Sequence, residues 1–92
     1  MEIHLRRLVI EGTKPREISS VELAERLCAI HGVDQCELIV TDVDSRTMTL
    51  KFTIIGPNIN YAEIRKAMDD SSVAVKGVDE ITVSKVRKPA KT

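Results

Sequence analysis

The sequence predicts an α+β fold, a ferredoxin-like βαββαβ sandwich with two helices on one face of an antiparallel four-stranded sheet. Three observations predict it. The chain repeats one plan: "VIEGTKP" at 9–15 and "TIIGPN" at 53–58 each close an apolar run with glycine, and "GVDQ" at 32–35 and "GVDE" at 77–80 each follow a helical stretch. The spacing agrees, with twenty residues from Gly12 to Gly32 and twenty-one from Gly56 to Gly77. The apolar period switches between two and three-to-four in the order strand, helix, strand, twice over. Right-handed crossovers then set strands one and three at the centre of the sheet.

The first strand is "HLRRLVIEG" at 4–12, with Arg6 and Arg7 adjacent in its middle. The first helix opens on a capping box, Ser19 with Glu22, and Ile18 and Leu23 stand where a hydrophobic staple closes over it. Val21, Ala24, Leu27, Cys28 and His31 form its apolar stripe, and Gly32 is the expected stop. In "CELIVTDVD" at 36–44, Cys36, Leu38 and Val40 share one face while Ile39 and Val43 take the other. "DSRT" at 44–47 is a hairpin turn. "TMTLKFTII" at 47–55 alternates Met48, Leu50, Phe52 and Ile54 with Thr47, Thr49, Lys51 and Thr53. The second helix repeats the capping box less well as Asn60 with Glu63, stapled by Ile59 and Ile64, and buries Ile64, Ala67 and Met68 with Tyr61 nearby. The last strand is "EITVSKV" at 80–86, with "GVDE" as the turn leading into it.

Successive side chains on a strand point to opposite faces, so one of the two arginines belongs to the face that the helices leave open. Ile39 and Val43 belong there too, with either Leu5 and Val9 or Leu8 and Ile10 of strand one. A face that apolar predicts self-association, through the face itself or an edge strand, with the arginine pairing an acid such as Glu37 or a partner's carboxylate.

Composition excludes several classes. Fourteen acids balance fourteen bases, yet "KVRKPAKT" at 85–92 holds four bases and no acid. Residues 1–84 therefore carry a net charge of −4, poor material for phosphate backbones, and one Phe, one Tyr and no Trp offer no stacking platform. Nucleic acid is not an expected partner. No apolar run approaches about 18 residues, and "MEIHLRRLVI" does not read as a signal peptide, so no membrane partner and a cytoplasmic location are expected. Cys28 and Cys36 lack disulfide-framework or zinc spacing and read as small buried hydrophobes. Residues 1–86 form the domain, and 87–92 are expected to be a disordered basic tail.

"RRLVIEGTKP", "VELAERL", "GVDQCELIVTDVD", "IIGPNINYAEI" and "KGVDEI", in that order and spacing, resemble a small archaeal family of unknown function numbered 211. The resemblance covers residues 3 to about 85. It implies a ferredoxin-like fold and homo-oligomers, and it implies no assigned activity or cofactor. Glu11, Lys14 and Pro15 hold the places of the family's acid-bearing strand end before Lys-Pro, whereas Gly12 and Thr13 replace commoner aliphatic residues.

Two constellations are candidates for binding. The loops after strands one and three are expected side by side with both helix starts, gathering Gly12, Lys14 and Arg16 against Gly56, Asn58 and Asn60. Helix N–H groups with two cations suit a small anion. The acids Asp42 and Asp44, Asp69 and Asp70, and Asp79 and Glu80 would hold calcium or magnesium if two such groups converged, across subunits for example. His4 and His31 lack ligand-spaced partners, and no Ser-His-Asp set, activated cysteine or Walker loop appears. The expected function is thus a self-associating binding or regulatory module for a small anion, not an enzyme. The alternative is a homo-oligomeric scaffold with divalent cations at acidic subunit contacts.

Overall fold

The computed structural model describes residues 2–86, and the tail expected at 87–92 lies outside the described residues. The elements are β1 (Glu2–Pro15), α1 (Ser20–Cys28), β2 (Gln35–Val43), β3 (Thr47–Ile55), α2 (Tyr61–Asp70) and β4 (Ala74–Val86). All pairings are antiparallel and the sheet order is β2-β3-β1-β4, with β1 and β3 central. This is the ferredoxin-like α+β arrangement.

The core lies between the helices and one sheet face. Leu8 and Ile10 of β1 stand opposite Ile54 and Phe52 of β3 and are closed over by Leu23 and Leu27 of α1 and Ile64 and Met68 of α2. Each such enclosed side chain contributes about 1.5–3 kcal/mol. Both helix starts form as their sequences require, the Glu22 N–H donating to Ser19 Oγ and the Glu63 N–H to Asn60 Oδ1, each at 3.2 Å.

Several boundaries differ from the sequence reading. β1 does not end at Gly12 but runs to Pro15, because β3 continues to pair with it as far as Thr47. α1 ends at Cys28, leaving His31 in a turn beyond the helix, with Gly32 at φ +91°. The residue that reverses the chain after α2 is Ser72, at φ 64°, with the Val73 N–H donating to Met68 O at 2.9 Å. β4 therefore starts at Ala74, and "GVDE" lies inside the strand instead of in a turn.

Irregular pairing redistributes the faces. A bulge at Arg6 separates the pairs Leu5–Val83 and Arg7–Thr82, so Leu5 joins Leu8 and Ile10 on the helix side while Arg7 and Val9 face the other way. A second bulge, between Val40 and Asp42, returns Val43 to the helix side, opposite Met48, and not to the open face. The open face is accordingly more polar than expected. Val9 is fully covered there, beside Thr53, and Ile39 is the exposed aliphatic residue of β2 on that side.

Gly32 and Gly56 lock the connections at one end. A Cβ on Gly56 would lie 2.0 Å from Gly32 O, and one on Gly32 2.1 Å from Asn58 O, whereas a Cβ on Gly77 would meet nothing within 4 Å. Gly56→Ala is expected to cost about 3 kcal/mol or more, since neither loop can withdraw. Gly77→Ala is expected to be neutral or stabilising by about 0.5–1 kcal/mol. Chemical denaturation of the two variants beside the parent checks both.

Candidate functional site

Antiparallel pairing of β1 with β3 separates the two loops expected to form an anion site. Pro15 is level with Thr47 while Arg7 is level with Ile55, so the connections leave opposite ends of the sheet. Eight residues of strand, about 26 Å, lie between those ends. α1 starts at one end and α2 at the other, and Lys14 and Arg16 are not brought together with Asn58 and Asn60.

Each of the four has a local setting. Lys14 points to the helix side, opposite Met48, and is 1 % exposed. Its Nζ donates to Pro15 O at 3.0 Å and to Ile18 O, tying the strand end to the turn before α1. Burial lowers its pKa from the usual 10.5. Arg16 is exposed, and its N–H donates to Arg46 O in the β2–β3 hairpin at 2.9 Å. Asn58 closes against Gly32 through its backbone, and Asn60 caps α2.

The acids do not converge either. Asp42 sits on β2 and Asp79 and Glu80 on β4, the two edge strands, with β3 and β1 between them, a separation of at least about 14 Å. Among the described residues no three His, Cys, Asp or Glu side chains gather where they could hold a metal ion. Asp44 shapes its hairpin, accepting from the Ser45 N–H at 2.7 Å. Glu80 accepts from Arg7 at 2.7 Å, and Asp79 stands 4.0 Å from Lys51. The adjacent arginines are thereby explained within the chain: Arg7 pairs with Glu80, not Glu37, and Arg6 in the bulge donates from Nε to Ser84 Oγ at 2.8 Å.

Burial, with Cys28 adding to it, pushes the Cys36 thiol up to about 12, which keeps it protonated and inert. No helix among the described residues is long and apolar enough to cross a membrane.

What remains is an apolar surface along the sheet edges, of which the sequence reading placed only Val43 on the open face. Ile3, Val78, Ile81 and Val83 are exposed, the last two at 62 % and 56 %, along β4 and the start of β1. Their pairing with the Leu5–Leu8–Ile10 side sets Val78, Ile81 and Val83 on the helix side of the sheet, where the helices do not reach them. Leu5, Leu8, Tyr61, Val78 and Ile81 line an apolar concavity of about 260 Å³ there. Val40 and Val43 form a second exposed strip on the same side of β2. Both strips border strands with one unpaired edge. Their exposure depends on the lateral reach of the helices, which strand alternation in the sequence does not report.

Two substitutions check these assignments. Lys14→Met is expected to lower stability by about 1–3 kcal/mol, because the carbonyls of Pro15 and Ile18 lose their donor. The Arg7 guanidinium holds the Glu80 carboxyl below its usual 4.5, so its contribution is present above that value and lost as pH falls through the lower, folded-state pKa. The difference in melting temperature between the parent and Glu80→Gln is therefore expected near neutral pH and should vanish in acid.

The comparisons with known proteins bear on this geometry through kinship alone. A protein of Methanocaldococcus jannaschii named uncharacterized protein MJ0319 is 27% identical over 81 residues, which cover 88% of this chain and 84% of that protein. The family DUF211, described as uncharacterized ArCR, matches residues 6–87. With nearly the whole βαββαβ unit inside that match, the chain belongs to the DUF211 family.

Proposed function

We propose that this protein is a homo-oligomeric binding or regulatory module, not an enzyme, and that its working surfaces form between copies of the chain. The observation that carries this reading is the pair of exposed apolar strips, Val78, Ile81 and Val83 on β4 and Val40 and Val43 on β2, each beside an unpaired strand edge. A long edge with aliphatic side chains is a template for another strand, and a monomer ordinarily blunts or covers it. Covering the strips removes apolar area from water, and pairing the edges satisfies backbone groups at the same time.

A non-catalytic role is supported by the commitment of the reactive side chains. Lys14 is engaged by backbone carbonyls, the Cys36 thiol is held protonated, and Asp79 and Glu80 face Lys51 and Arg7. The mildly acidic body argues against nucleic acid as the partner. Light scattering coupled to size exclusion at micromolar concentration tests the proposal. A species of at least two copies is expected, and a single 10.3 kDa particle would overturn it.

A further inference from the structure

The geometry points to a binding site for a basic α-amino acid, in the cleft between the start of α1 and the turn that follows α2. The site lies within one copy of the chain, so it stands apart from the self-association proposed above. Four observations carry it.

The first is the cleft itself. It holds about 300 Å³, at the lower end of what a small-molecule pocket needs. Ile18 and Leu23 form its apolar wall, and charged and hydroxyl side chains form the rest. Its rims are fixed by the fold. On one side Lys14 Nζ donates to Ile18 O, and the Leu23 N–H donates to Ser19 O at 3.1 Å. On the other the N–H groups of Ser71, Ser72 and Val73 all turn back onto carbonyls of α2. A rigid cleft loses little freedom on binding.

The second is an arginine without a carboxylate. Arg26 lines the cleft with Asp70 and with Glu22, one turn before it on α1. Glu and Arg four residues apart on a helix ordinarily pair. The ion pairs among the described residues are Glu2–His4, Arg7–Glu80 and Lys51–Asp79, and Arg26 is in none of them. Its Nη1 donates instead to the neutral Ser71 Oγ at 2.7 Å. That contact anchors the guanidinium at one corner and leaves its other N–H groups for a planar acceptor.

A buried donor is the third. Ser71 lines the cleft and is only 6 % exposed. Its oxygen accepts from Arg26, and its O–H donates to no acceptor among the described residues. A buried hydroxyl ordinarily has its donor filled. A carboxylate oxygen brought to the Arg26 guanidinium stands beside the Ser71 O–H as well, so the two groups form one receptor.

The fourth is the charge left over. Glu17, Glu22 and Asp70 outnumber Arg26 in the lining by three to one. Asp70 is the last residue of α2, whose final turn holds no base, and the helix dipole opposes a carboxylate at that end. The complement of this set is a ligand with one negative and two positive groups. A basic α-amino acid has it: a carboxylate for Arg26 and Ser71, and an α-ammonium and a side-chain cation for the acids. A simple anion would meet three acids, and a polyamine would leave Arg26 and Ser71 unfilled.

Isothermal titration of the full chain with L-lysine and with L-arginine tests the site. Saturable binding of at least one is expected, with a rise in melting temperature by mass action. Cadaverine and agmatine, the same molecules without the carboxylate, and ε-aminocaproate, which is lysine without the α-ammonium, are expected to bind about tenfold more weakly, each having lost a charge-assisted contact. Arg26→Gln is expected to bring the amino acid down to the affinity of its decarboxylated counterpart, and to leave that counterpart unchanged. Asp70→Asn removes an acid that the helix dipole disfavours, so it is expected to keep or raise the melting temperature of the free protein while weakening binding about tenfold. No binding of either amino acid at millimolar concentration would overturn the inference. Equal affinity for the decarboxylated amines, or binding by Arg26→Gln or Asp70→Asn equal to that of the parent, would overturn it too. Circular dichroism checks that both variants are folded, and if Arg26→Gln is not, Asp70→Asn decides alone.

Discussion

The antiparallel ladder between β1 and β3, from Arg7–Ile55 to Pro15–Thr47, is the constraint on which the other placements depend. Since the two central strands run in opposite directions, the connections that follow them leave from opposite ends, and each helix must return along the sheet in its own direction. β2 and β4 are then forced outward to become edges. The same ladder keeps Leu8 and Ile10 against Ile54 and Phe52, so core formation and strand pairing reinforce each other. A parallel pairing would have set the two glycine-containing loops at one end of the sheet, where the antiparallel one separates them. The hydrogen-bond pattern of the sheet is thus what decides where chemistry can and cannot occur.

Much of this fold was legible in the sequence because its signals are local. Ser19 with Glu22 and Asn60 with Glu63 marked both helix starts through bonds that span three residues. The alternation in "TMTLKFTII" fixed β3 to the residue. What could not be read were features that arise only when strands meet. The bulges at Arg6 and after Val40 reassign Leu5 and Val43 to the helix side, and a bulge has no signature in the strand that carries it beyond its partner's register. Ser72 adopts the left-handed conformation that sequence reasoning reserves for glycine, and β4 therefore begins well before the position that Gly77 suggested.

The candidate site was less legible, for a related reason. Lys14 reads as a solvated loop cation, and it is instead one of the large, fully enclosed side chains, its ammonium bonded to two carbonyls. A lysine stem is apolar along most of its length, so a strand extended by three residues can bury it provided the ammonium finds acceptors. Arg7 and Glu80 lie 73 residues apart in sequence, and no spacing rule joins them. Exposure of Ile81 and Val83 depends on how far α2 reaches across the sheet, a tertiary quantity. Sequence alone led to an expectation of an apolar open face, whereas the exposed aliphatic residues of β2 and β4 mostly line the edges on the helix side.

The contact between Gly32 and Gly56 has a genetic consequence. A substitution that overpacks a protein interior can be relieved by trimming a neighbouring side chain, which restores the lost room. Here the atoms that a new methyl group would strike are carbonyl oxygens and backbone carbons, of Gly32 and Val33 in one loop and Asn58 in the other. A carbonyl cannot be made smaller by mutation. Local relief of a Gly32 or Gly56 substitution therefore requires a loop to lengthen or re-route, since no neighbouring replacement can restore the room.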